Sequence, residues 1–192
     1  MIRKLTLTAV ALLAFAGAVS AGTLALFTDQ AAVGANLFST STIDITASPA
    51  SAAVTFSGMM PGDSVTDDVV VTNAAGSAAM RYSVASAATN ADAKGLKDAL
   101  TLTVRTVDAT TPGTPCDNFD GTQLYTGDLD STAGRIVGDS TAGSQSGDRS
   151  LAVGASETLC FRVSLPLAAT GPTNASTTAT FTFDAEQTAN NP

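Results

Sequence analysis

The side chains that could do chemistry are few, and the absent one decides most. The 192 residues contain no histidine, which removes the usual base for a serine or cysteine nucleophile and the imidazole ligands of a hydrolytic zinc. A serine–lysine arrangement would have to recruit Lys94 or Lys97, and both lie in a polar stretch that reads as a surface helix. A base must stand within hydrogen-bond reach of its nucleophile, and nothing in the pattern provides that. Hard oxygen ligands do gather at Asp117, Asn118, Asp120 and Gly121, with Asp128 and Asp130 following. Calcium takes such ligands, but Phe119 stands where a twelve-residue calcium loop needs its third one, and Asp and Asn are ordinary turn formers. The expectation is a protein that is not an enzyme, with no catalytic residues, no cofactor and no metal.

The remaining reactive groups are Cys116 and Cys160. Their chemistry depends on compartment, and the first residues address that. Arg3 and Lys4 precede an apolar run over residues 5–21, followed by small residues, the pattern of an export signal. Cleavage after Ala21 and cleavage after Ala25, leaving Leu26 as the new start, both satisfy the small-residue rule; the other reading is an uncleaved anchor near the lower length limit for a span. Processing implies a signal peptide over residues 1–25 and no stable membrane span afterwards. An even cysteine count in an exported chain favours a Cys116–Cys160 disulfide over two free thiols. Such a bridge would remove on the order of 4 kcal/mol of unfolded-state entropy.

The chain is acidic, with 17 Asp and Glu against 9 Lys and Arg and a formal net charge of −8. Loss of Arg3 and Lys4 makes it more so. Such a surface repels phosphate backbones, so nucleic acid is excluded as a partner, as is electrostatic docking on anionic lipid. Thr, Ser, Ala, Val and Gly dominate, which suits short strands joined by turns rather than long surface helices.

The elements that must position these groups follow from alternation. Residues 39–46 alternate around Ile43 and Ile45 until Pro49; residues 54–56 repeat the pattern; and Met59, Met60, Pro61, Gly62 and Asp63 make a turn. Residues 64–73 contain Val69, Val70 and Val71, which read as a strand covered on both faces. After a turn at residues 73–77, residues 80–85 form a strand with Tyr82 and Val84 on one side. Residues 92–99 read as a short helix capped by Asn90 or Asp92, set against a sheet edge. Leu100, Leu102 and Val104 alternate next. Residues 108–154 read as a long loop region with one or two short strands. The clearest period-two signals come last: Leu159, Phe161, Val163 and Leu165, then Ala179, Phe181, Phe183 and Ala185. The fold class is all-β, an antiparallel β-sandwich of jelly-roll type with one short helix, forming a single domain over residues 39–192.

Several of these segments, in this order, resemble the TasA and camelysin family of exported surface and biofilm-matrix proteins, which a dedicated signal peptidase usually called SipW processes. The resemblance is carried by Gly22-Thr23-Leu24-Ala25-Leu26-Phe27-Thr28-Asp29, by Asn36-Leu37-Phe38 and the strand after it, by Met60-Pro61-Gly62-Asp63 with Val69 to Asn73, and by the ending Thr180-Phe181-Thr182-Phe183-Asp184-Ala185-Glu186-Gln187. It covers both ends and the first third of the chain. It implies a jelly roll, release after Ala25, and homo-oligomeric fibres in which an extended N-terminal segment completes the sheet of a neighbour. Residues 26–38, with Leu26, Phe27, Val33, Leu37 and Phe38 as spaced apolar groups, are the expected assembly segment. The alternative is that this segment folds back as an ordinary edge strand of its own domain. Some relatives are described as metalloproteases, which the missing histidine disfavours here. A monomeric adhesion or carbohydrate-binding module is the other class of reading. The absence of tryptophan, with only Tyr82 and Tyr125 as tyrosines, weakens it.

Overall fold

The computed structural model describes residues 42–50, 54, 57–107, 114–131, 134–170 and 172–191. The chain divides into two compact units, Met1–Ser39 and Thr40–Pro192, and every described residue belongs to the second. The export signal, the Ala25–Leu26 cut and the expected assembly residues Leu26, Phe27, Val33, Leu37 and Phe38 lie outside the described residues.

The described residues form nine strands and one short helix. In chain order these are β1 (Ile45–Ser48), β2 (Ser64–Asn73), β3 (Met80–Ala88), α1 (Leu96–Ala99), β4 (Thr101–Thr106), β5 (Gln123–Asp128), β6 (Arg135–Val137), β7 (Arg149–Leu151), β8 (Ser156–Ser164) and β9 (Ala179–Gln187). All pairings are antiparallel. One sheet runs β1-β2-β8-β4-β5. The other is built on β3, which pairs with β9 along its whole length from Met80↔Gln187 to Ala88↔Ala179. The two three-residue strands β6 and β7 therefore share its opposite edge.

Alternation produces the core. Leu159, Phe161 and Val163 of β8, Leu102 and Val104 of β4, and Val69 and Val71 of β2 face Met80, Tyr82 and Val84 of β3, with Ile136, Val137 and Leu151 closing the cluster. Burying each of these side chains contributes about 1.5–3 kcal/mol relative to exposure. Rings meet both between and within the sheets: Phe161 of β8 and Phe181 of β9 have centroids 4.9 Å apart across the layers, and Tyr82 and Phe183, on the paired strands β3 and β9, 6.4 Å. The all-β antiparallel class read from the sequence is present.

Some local expectations change. Val70 is half-buried, so β2 is covered fully on one face only. The helix spans four residues rather than residues 92–99, and its cap is Gly95 at φ 72° with no side-chain capping bond. Asn90 and Asp92 shape the turn before it: Asn90 Oδ1 accepts the Gly95 N–H at 2.8 Å, and Asp92 Oδ1 accepts the Lys94 N–H at 3.0 Å. The region expected to hold one or two short strands holds three, β5, β6 and β7. The Pro61–Gly62 turn forms as read. Asp63 N–H donates to Met60 O at 2.9 Å, and Gly62 takes φ 98°, the conformation that a type II turn demands at that position.

Candidate functional site

The outer face of the five-stranded sheet is covered by a strap, residues 114–122, held by a disulfide. Cys116 and Cys160 are bonded, S–S 2.00 Å with Cα atoms 5.5 Å apart. Cys160 alternates with Leu159 and Phe161 on β8, so it points away from the core, yet it is 1% exposed because the strap lies on it. The strap's other end is fixed by backbone. Thr106 N–H donates to Thr122 O at 2.9 Å and Thr122 N–H to Thr106 Oγ1 at 3.0 Å. Gly121 makes this approach possible, since a Cβ there would lie 1.7 Å from Thr106 O.

Between these anchors Phe119 sits at φ 50°, a left-handed conformation costly for an aromatic residue. Its ring lies beneath two guanidinium groups. Arg162 Cζ is 3.7 Å from the ring centroid and Arg105 Cζ 5.3 Å. Arg162 Nε donates to Thr66 Oγ1 at 2.8 Å and Arg105 Nη1 to Gly121 O at 3.0 Å. Burial, and then the charge of Arg105, lower the Arg162 pKa from its ordinary value.

Two of the four carboxylates considered as calcium ligands have protein partners. Asp117 Oδ1 accepts the Asn118 N–H at 2.9 Å and its Oδ2 the Thr114 hydroxyl at 3.3 Å, while Asp130 takes Lys97 Nζ at 2.7 Å. Among the described residues no three Asp, Glu, Cys or His side chains are grouped so as to hold a metal ion. Lys97 is engaged by Asp130 and Asp98, and these bonds raise its pKa. An ammonium so stabilised is a poor general base. Lys94 donates to Asn174 O. Of the two tyrosines, Tyr82 is 1% exposed, and half-buried Tyr125 donates its hydroxyl to Asp128 O at 2.8 Å.

A second loop, residues 138–148, covers the outer face of β3. Gly143 N–H donates to Glu186 Oε1 at 3.1 Å, and Glu186 pairs with Arg81 Nε at 3.0 Å. Asp148 holds the loop's neck by accepting the Asp139 and Gln145 N–H groups at 3.0 and 2.8 Å.

Edges are left open: β1 and β5 end the five-stranded sheet, and β9 is an outer strand of the other. β9 spends one side on β3, and among the described residues no strand pairs with its other side. Phe181 and Phe183 on β9, and Ile45 and Ala47 on β1, pack against the core while remaining half-buried. A nine-residue edge with partly uncovered aromatics is the kind of surface to which another strand adds.

Compared with known proteins, the chain matches no family model and no curated sequence. Among the described residues no helix is long and apolar enough to cross a membrane.

The signals in the chain did not reveal the Arg105–Phe119–Arg162 group, since its members are far apart in sequence and only the strap brings them together. Asn73 was likewise missed. It is fully buried at the end of β2, where Nδ2 reaches Ala78 O, Leu151 O and Ala152 O at 2.9, 3.2 and 3.1 Å and ties β2 to β7.

Proposed function

We propose that this chain is an exported, non-enzymatic structural protein of the cell surface or extracellular matrix, a jelly-roll-type sandwich that assembles by donating residues 26–38 to the sheet of a neighbouring copy. The observation that carries the reading is the unpaired side of β9, with Phe181 and Phe183 half-buried beside it. Residues 26–38 supply what that edge lacks. An added strand would satisfy the outward backbone groups of β9, and Leu26, Phe27, Val33, Leu37 and Phe38 provide apolar side chains to cover the aromatics. A dedicated signal peptidase would create the donor by cutting after Ala25. Until that cut the segment is continuous with the export signal, so assembly is confined to the outside of the cell.

Electron microscopy and size-exclusion chromatography of a chain beginning at Leu26, set beside one beginning at Ser39, test this. Higher-order species are expected from the longer protein alone. Monomers from both would overturn the proposal.

A further inference from the structure

We propose that Arg105 and Arg162, held over Phe119 on the outer face of β4 and β8, form a receptor for a single oxyanion, a carboxylate or a sulfate group, borne by a ligand outside the chain.

The first reason is charge accounting. Acidic residues outnumber basic ones 17 to 9, and Arg81, Lys97, Arg135 and Arg149 each sit against a carboxylate. Arg105 and Arg162 have no ion pair among the described residues. Two guanidinium groups packed close together without an ion pair, although Asp68 shares their face opposite Cys160, are an arrangement that folding alone disfavours.

The second reason is placement. On these antiparallel strands Arg162 is opposite Thr103 and Arg105 opposite Cys160, so the arginines are diagonal neighbours on one face. Arg162 is fixed through Nε by Thr66, and Arg105 through Nη1 by Gly121 O. Arg105 Nε is buried with no acceptor, and neither Nη of Arg162 has an acceptor among the described residues. The Nη donors of Arg162 are the ones left for an outside ligand, and a carboxylate or sulfate takes guanidinium donors in pairs. The disulfide and the Cβ-free contact at Gly121 hold Phe119 in place, so the geometry exists before the ligand arrives. A bound anion also removes the mutual repulsion that, with burial, lowers the Arg162 pKa.

Titration of the full-length, disulfide-intact chain with sodium acetate and, separately, sodium sulfate, at ionic strength held constant with chloride, tests the site by amide NMR. Saturable shifts at Phe119, Gly121 and Thr122 are expected with at least one anion, and the arm that saturates at lower concentration identifies the group. Arg162→Gln should weaken that binding at least tenfold while leaving amides of β3 and β9 unmoved. Arg105→Gln serves the same purpose if the first variant misfolds. Shifts that rise linearly with both anions, or saturate equally in the variant, overturn the proposal.

Discussion

Tyr82 of β3 donates its phenolic hydrogen to Glu157 of β8, Oη to Oε2 at 2.7 Å, and so joins the two sheets through their shared core. Arg149 of β7 completes the group by pairing with the same carboxylate. A buried hydroxyl with its acceptor in place costs little; one partner alone costs the desolvation of the other. Glu157→Ala, which strands both the Tyr82 hydroxyl and the Arg149 charge, is expected to destabilise by about 3–5 kcal/mol. Tyr82→Phe, which leaves the Arg149–Glu157 pair intact, should cost about 1–2 kcal/mol. Urea denaturation measures both, and equal losses would contradict this division of roles.

The same hydroxyl sets an alkaline limit. Burial first, then the hydrogen bond and charge of Glu157, raise the Tyr82 pKa above its ordinary 10.0. Because the folded value lies above the unfolded one, the stabilisation is fully present below about pH 10 and is lost as pH rises beyond it. The stability of the wild type is expected to fall above that point, and that of Tyr82→Phe to fall less steeply. Parallel profiles would refute the assignment.

At the acid end the sign reverses. The Ser176 N–H, and after it the Lys94 N–H, hold Asp92 below the usual carboxylate value, and the Thr141 N–H and hydroxyl do the same for Asp139. Their contribution is present above about pH 4 and disappears as pH falls through the lower folded values. Asp92→Asn combined with Asp139→Asn should flatten the acid limb of a stability profile; a limb of unchanged slope would remove both groups from the account.

The alternating residues of β4 and β8 were plain in the sequence because Leu102, Val104, Leu159, Phe161 and Val163 repeat with period two and meet a core on one face. β6 and β7 were not, since three residues give too few alternations to distinguish a strand from a loop. Cys160 was legible as a disulfide partner, yet not as the floor under a strap. That role depends on Gly121 approaching Thr106, which no local pattern encodes. The strand with Tyr82 and Val84 on one side was legible, but not that Arg81 and Ser83 on the other side are 6% and 4% exposed, because the loop over β3 covers them.

Strap attachment is open to direct measurement. Replacing Cys116 and Cys160 together by serine is expected to lower stability by about 2–4 kcal/mol. Gly121→Ala should cost about 1–3 kcal/mol through its clash with Thr106 O. If thermal melting shows neither loss, the strap is not held as described.

The central claim is that residues 26–38 of one copy add to β9 of the next. Hydrogen exchange on β9 tests it most directly, by comparing material begun at Leu26 with the same domain begun at Ser39. The amides of β9 that point away from β3 should exchange quickly in the shorter chain and become strongly protected in assemblies of the longer one. Assemblies in which those amides exchange as fast as in the shorter chain would contradict the account.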